Sequence, residues 1–290
     1  MQRRGFVHRR ARVRLNIVKV TGVSTPTRPF KENEDWLGSG PDMVVVLDGC
    51  GVGDALAADV DRRCVHGLPW YVKTLGTALL RSGADRATPL PDALATAIAD
   101  TASAHRGRCD LRHPATPAST VVVLRQNREA VEYLVLSDSV LVVDDGGEEP
   151  MVLTDDRLNR LNLTPYGEAA PGSAEFVEIS RRRADELARA RNRPDGFPIA
   201  AADPKAAYRA LTGHLGRGRV RRALLATDGA TRLVELFGKM TWLGLLNLAE
   251  TRGPEEVIAR TRSVEESDPD SSKWRRGKVH DDATVAFCQF

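Results

Sequence analysis

Val44–Ala55, VVVLDGCGVGDA, is the stretch on which the reading of this chain turns. A run of β-branched residues reaches Asp48, and glycines follow at 49, 51 and 53. Taken from Met43, MVVVLDG is a short, continuously apolar strand, the pattern of one buried on both faces. An acid where such a strand emerges, followed by backbone with few side chains, suits a phosphate-cradling turn. It equally suits a backbone that passes close to a metal held by the acid. The stretch alone leaves both open.

The same device recurs elsewhere. RRALLATDG (221–229) is an apolar strand ending in Asp228 and glycine, and HDDATVAFCQF (280–290) leads from acids into a terminal strand beside Asp281. Asp35 lies in the polar approach to the 43–49 strand. Carboxylates held at neighbouring sheet ends can converge from distant parts of a chain, where they repel and their pKa values rise. Divalent cations relieve that penalty, and oxygen-rich ligands suit Mg²⁺ or Mn²⁺. The nucleotide readings fit less well. No Gly-Lys-Ser/Thr follows Asp48, and the strand acid precedes the glycines instead of ending the next strand, as a dinucleotide fold requires. No G-x-S-x-G elbow supports a serine hydrolase. A Cys50 nucleophile with His66 stays open, although the acidic surroundings of Cys50 oppose a thiolate.

Around these motifs, RVRLNIVKVTGV (12–23) is a first strand and Thr25–Asp42 a loop. Leu56–Leu80 has helical spacing interrupted near Gly67 and Pro69, and PDALATAIADTASAHR (91–106) is a cleaner helix with proline in its first turn. Residues 119–153 carry β-rich runs separated by polar turns, a succession that favours antiparallel pairing. SRRRADELARARN (180–192), DPKAAYRALTG (203–213), LVELFGKMTWLGLLNLAE (233–250) and PEEVIARTRSVEE (254–266) have helical patterns. Trp242, Leu243, Leu245 and Leu246 within them are expected to be core, and Ser119 and Thr120 to satisfy turn hydrogen bonds.

The 290 residues can bury a substantial core, and 42 Lys+Arg against 39 Asp+Glu leave only +3, too little to imply a nucleic-acid partner. The basic excess is concentrated in Arg3, Arg4, Arg9, Arg10, Arg12 and Arg14, which predict a solvated arm. Cys50, Cys64, Cys109 and Cys288 show no C-x-x-C spacing and no partnered histidines, which argues against a structural zinc site. No apolar run approaches the roughly 20 residues of a membrane helix, and the arginine-rich start lacks a signal peptide's apolar segment. The expected setting is reducing and cytoplasmic.

In order along the chain, NED (33–35), VVVLDGCGVGD (44–54), PASTVVVL (117–124), YLVLSDSVLVV (133–143), ALLATDGATRL (223–233) and HDDATVAF (280–287) resemble the motifs of the metal-dependent serine/threonine protein phosphatases of the PP2C, or PPM, family, bacterial type. The resemblance spans nearly the whole chain. It implies an α+β fold: a four-layer α-β-β-α sandwich of two antiparallel sheets flanked by helices. Residues 1–14 would be the basic arm and 15–290 a single phosphatase domain. It also implies two Mn²⁺ or Mg²⁺ ions, with a weaker third, held by Asp35, Asp48, the Gly49 carbonyl, Asp228 and Asp281. Glu34 would act through a coordinated water, and Asp138 would help hold the third ion. The implied reaction is hydrolysis of phosphoserine or phosphothreonine in proteins by a metal-bridged water. A phosphatase-like module without turnover, or an enzyme for small phosphorylated metabolites, is the alternative.

Two positions depart from the pattern. Phe30 stands where family members commonly have a phosphate-binding arginine, so Arg28 or Lys31 is expected to make that contact. Cys50 stands where many eukaryotic relatives have histidine. His280, beside Asp281, is expected outside the direct ligand set.

Overall fold

The computed structural model describes residues 18–51, 64–114 and 116–290. The basic arm, residues 56–63 of the expected helix and the Val52–Asp54 part of the glycine loop lie outside them.

Two antiparallel sheets stack face to face. One contains β1 (Lys19–Thr25), β7 (Val140–Asp144), β8 (Met151–Leu153), β10 (Arg222–Ala226) and β11 (Ala283–Gln289) in the order β1-β11-β10-β7-β8. The other contains β2 (Asp35–Ser39), β3 (Met43–Cys50), β5 (Val121–Gln126), β6 (Ala130–Leu136) and β9 (Leu211–Gly216) in the order β2-β3-β5-β6-β9, with β4 (Ala118–Ser119) paired to the end of β3.

Side-chain alternation along the central strands explains the layers. Val44 and Val46 of β3 meet Leu141, Val143, Leu225 and Ala286 between the sheets. Val45 and Leu47 instead pack under α1 (Gly67–Ser82) and α2 (Leu90–Ala104), against Leu75, Leu79 and Leu94. Both faces are therefore buried, which is why β3 reads as an unbroken apolar run. The opposite sheet is covered in the same way. Leu224, Val285 and Phe287 lie under α4 (Asp228–Glu235), α5 (Trp242–Arg252) and α6 (Pro254–Glu266), with Leu245, Leu246 and Trp242 in that core. An outlying α3 (Ala174–Ala190) follows β8, with Ser173 accepting a hydrogen bond from the Phe176 N–H at its start. The result is the expected four-layer sandwich.

Three local expectations need correction. The 25–42 segment is not all loop: Asp35–Ser39 pairs with β3, placing Asp35 directly opposite Asp48. Residues 203–213 do not form one helix. Pro204–Arg209 makes a 3₁₀ turn, and the chain then enters β9, where Gly213 lies so close to the Tyr133 hydroxyl that a Cβ would come within 2.3 Å of it. The 233–250 segment is divided at Gly238, which has φ of +57°, and Thr241 caps the new helix by accepting from Gly244.

Candidate metal centre

Strand parity delivers the acids to one place. Asp48 follows Val44 and Val46 on the face between the sheets, and Asp35 is its cross-strand partner. From the other sheet, Thr227 follows β10 and Asp228 opens α4, while Asp281 lies two residues before β11. The two sheets therefore present their acid-bearing ends to each other.

Asp35 is buried at 5% exposure. Its Oδ2 accepts from the Thr227 hydroxyl at 2.9 Å and the Thr284 hydroxyl at 2.8 Å, which fixes the carboxylate. Its Oδ1 is buried with no partner. Burial, with Asp282 and Asp228 nearby, pushes the carboxyl well above its usual range. Asp48 is raised too, first by burial and then by Asp35, Asp228, Asp281 and Asp138. The Asp228 carboxyl, although exposed, is raised by desolvation in the crowded cluster and by Asp281, against the lowering effect of Arg232, Lys278 and a hydrogen bond with Asp48. Asp138, in the turn joining β6 to β7, is pushed up to about 7 by burial and Asp228. An anion cluster with one orphaned oxygen and mutually raised pKa values suits hard divalent cations, which prefer oxygen donors.

The backbone is fitted to the same point. The Gly49 N–H donates to the Glu34 carbonyl at 3.0 Å, and a Cβ on Gly49 would lie 2.3 Å from that oxygen. A Cβ on Gly229 would strike the Asp282 carbonyl at 1.9 Å. These close approaches account for the glycine after each strand-end acid. Gly51 is less constrained, since a Cβ there would press only on the Leu68 side chain at 3.1 Å. Asn33 accepts from the Asp35 N–H at 2.9 Å and donates to Ser24 at 2.7 Å, clipping the Asn-Glu-Asp turn to β1. Thr120 receives the Asp48 N–H at 3.2 Å and bonds the Ser139 hydroxyl at 2.6 Å, so it braces a turn as expected. Ser119 likewise donates to the Thr120 carbonyl at 2.7 Å.

Asp281 has a different setting. Lys278 donates to its Oδ1 at 3.0 Å and Arg232 to its Oδ2 at 3.2 Å. Lys278 is exposed, and Asp281 first, then Glu34 and Asp48, favour its charged form. His280 bonds Glu265 at 2.7 Å, outside the acid cluster.

Several groups of this site escaped the sequence reading. Lys278 is one. Asp282 is another: its carboxylate receives the Thr27 N–H at 2.5 Å, the Thr27 hydroxyl at 2.6 Å and the Glu34 N–H at 2.7 Å, tying the 27–34 loop to β11. Glu235 lies near Asp228 with its pKa raised by burial and bonds Thr231 at 2.5 Å. The Asp282 contacts join residues that no short motif links, whereas Lys278 with Asp281 and Thr231 with Glu235 are i,i+3 and i,i+4 contacts.

No family model matches the chain, and no curated protein does. Solved structures match over nearly its full length. The catalytic domain of the serine/threonine protein phosphatase PstP in complex with 2 manganese ions is 16% identical, with TM-score 0.54 over 94% of this chain and 98% of that one. PppA of Pseudomonas aeruginosa, described as a key regulatory component of T6SS, is 18% identical, with TM-score 0.55 over 94% and 97%. Serine-threonine phosphatase 2C from Toxoplasma gondii is 16% identical, with TM-score 0.53 over 95% of each chain. The chain has the PP2C fold.

At these identities the likeness is one of architecture, and within the PP2C fold this chain has its own features. Phe30 adopts φ of +69° and is fully exposed. Lys31 approaches Glu34 at 3.7 Å, and the Arg28 carbonyl receives the Lys31 N–H at 3.2 Å, so both belong to the turn leading into Asp35. The Cys50 thiol is pushed well up by burial and by Asp48 and Asp138, which opposes a nucleophilic thiolate. His66 stacks on Trp70 at 4.1 Å and meets His105 edge-on at 5.3 Å.

Proposed function

We propose that the protein is a PP2C-type phosphatase that hydrolyses phosphoserine and phosphothreonine in proteins with Mn²⁺ or Mg²⁺ as cofactor. The observation that carries this reading is the convergence of Asp35, Asp48, Asp138 and Asp228 at the facing ends of two sheets, with the Asp35 Oδ1 buried and unpartnered. Asp35, Asp48, Asp228, Asp281 and the Gly49 carbonyl would hold two ions, with Asp138 available to a weaker third and Glu34 acting through water. When bound, such ions supply Lewis-acid polarisation of phosphoryl oxygens and lower the pKa of water.

The chain's own groups do the rest. Thr227 and Thr284 fix the Asp35 carboxylate through Oδ2 and leave Oδ1 without a partner. Asp282 holds the Glu34 backbone in place. Lys278 supplies a positive charge beside Asp281, Glu34 and Asp48, where a phosphate dianion would need one. It is the better-supported phosphate contact, with Arg28 and Lys31 in the preceding turn as further candidates. The raised carboxyls of Asp35, Asp48, Asp138 and Asp228 imply that cation binding displaces protons and is weaker at lower pH.

Phosphate release from phosphoserine and phosphothreonine peptides, with and without Mn²⁺ or Mg²⁺, tests the proposal. Metal-dependent release is expected, with kcat/KM above that for small phosphorylated metabolites. Folded protein that releases no phosphate with either metal would overturn it. The exposed Phe30 at the usual arginine position favours a second reading, a phosphopeptide-binding module without turnover. Metal and phosphopeptide binding with no release would select that reading.

A further inference from the structure

The helical layer over the six-stranded sheet contains a second cluster of ligating side chains. Cys64 lies just before α1, His105 terminates α2, and Cys109 follows in the next turn. One ligating atom from each lies within 4.8 Å of the others. The Cys109 and Cys64 sulfurs are 3.5 Å apart. Two sulfurs on one tetrahedral zinc, each about 2.3 Å from the metal, are separated by about 3.8 Å. Disulfide sulfurs are separated by about 2.0 Å. The spacing seen is a thiol–thiol hydrogen-bond contact, too long for a disulfide and about 0.3 Å short of two ligands on a shared ion.

His105 supplies the independent observation. Its side chain is 1% exposed, and its Nδ1 lies 2.9 Å from the Thr101 carbonyl, an acceptor, so Nδ1 carries the proton. That bond leaves a lone pair on Nε2, which is buried without any partner. A backbone carbonyl holding one imidazole nitrogen while the other is free is the arrangement that orients a metal-binding histidine. The Nε2 of His66, two residues after Cys64, is also buried and unpartnered. Its ring meets His105 edge-on with centroids 5.3 Å apart and stacks on Trp70, so ligation by His66 would require it to leave that stack.

We propose that Cys64, His105 and Cys109, completed by His66, form a structural zinc site distinct from the acid cluster. Thiols and imidazoles select a softer cation than the carboxylates do. Binding transfers both thiol protons to solvent and forms two zinc–sulfur bonds, with no change of oxidation state. The zinc would tie the entry of α1 to the end of α2. Leu68 and Val72 in the first turns of α1 pack close to Gly49, beside Asp48, so the site would also hold one wall of the acid cluster. The sequence shows no histidine partnered with these cysteines, and the fold brings His105 to Cys64 and Cys109. The C-x-H and H-x-x-x-C arms are distant in sequence and meet only through helix packing.

The test uses the full-length chain purified under reducing conditions and loaded with Co²⁺ in place of zinc. Sulfur-to-cobalt charge-transfer absorption is expected in the unsubstituted protein and should disappear on adding zinc. Cys64→Ser and Cys109→Ser should each weaken it, while Asp48→Asn should leave it unchanged. This readout does not depend on phosphatase activity, so it can fail or succeed apart from the functional proposal. Unsubstituted protein that shows no thiolate absorption, and whose thiols react equally fast with and without zinc, would overturn the site. So would a Cys64–Cys109 disulfide as the stable form under these conditions.

Discussion

Two groups of acids lie close together in this molecule and are treated in opposite ways. Behind Asp281, the fully buried Glu265 is met by Arg232 at 2.5 Å, Arg262 at 2.7 Å and His280 at 2.7 Å. Nearby, buried Asp268 pairs with Arg276 at 2.6 Å and accepts the Lys273 and Trp274 N–H groups, which hold its carboxyl well below the usual range. Asp35, Asp48, Asp138 and Asp228 are instead all raised, desolvation being the leading cause, although the charges of Arg232 and Lys278 act against it at Asp228. The fold can place arginines against buried acids, and it does so within the same helical layer. Around the four-acid cluster the balance of charges still leaves every carboxyl raised, which suits an external cation. Asp281 belongs to both regions, since Arg232 and Lys278 already neutralise it.

The largest effect should come from removing charge at the four-acid cluster. Asp48→Asn and Asp228→Asn should each lower metal-dependent kcat/KM by more than about 100-fold, beyond the 10–100-fold typical of groups that only orient a ligand. The double variant should lose less than the sum of the two single penalties, because one shared centre is already disrupted. Independent, additive losses would show that the two acids serve separate sites.

Stability should then respond with opposite signs. Asp48→Asn removes one of several repelling carboxylates, so the metal-free variant should melt at or above the unsubstituted protein. Arg276→Leu leaves Asp268 buried and unpaired, and denaturant titration should show a loss of about 3–5 kcal/mol. Similar shifts from both variants would erase the distinction.

The pH dependence should divide in the same way. A carboxyl raised in the folded state binds more protons there than in the unfolded chain, so metal-free stability should fall as pH rises from about 4 through 7, where Asp138 titrates. Saturating Mn²⁺ should flatten that slope, adding about 2.7 kcal/mol for each ion present at a hundredfold excess over its Kd. Asp268 acts in the other direction: its contribution is present above about pH 4 and is lost as pH falls below that value. Thermal melts across this range, with and without Mn²⁺, measure both.

The smallest effect is expected at the N-terminus. Deleting Met1 to Arg10 should leave phosphopeptide turnover almost unchanged if the arginines are only solvated. A loss that shrinks steeply with added salt would assign them to substrate attraction.

How much of this was legible in sequence follows from which partners are local. MVVVLDG gave away a doubly buried strand because its own residues fill both faces. β2 was hidden because its short run DWLGS contains only two large apolar residues, and the Trp36 ring occupies space left by Gly38 and Gly76. β9 was hidden because helix formers in 203–213 are overruled by pairing with β6. The strand-end acids were visible through the glycines after Asp48 and Asp228, which leave room for crossing backbone. Lys278, Asp282 and the His105–cysteine cluster were not, because their roles depend on partners brought together by packing.

Proton release on metal binding tests the central claim most directly. Chelator-treated protein at about pH 7 in weak buffer should release protons when Mn²⁺ is added, as raised carboxyls give up protons to the incoming cation. Mn²⁺, a hard cation, should draw little from the thiol cluster. The Asp48→Asn, Asp228→Asn double variant should lose most of that release. Unchanged Mn²⁺ binding and proton release in the folded double variant, or no binding at all by the unsubstituted protein, would contradict the account.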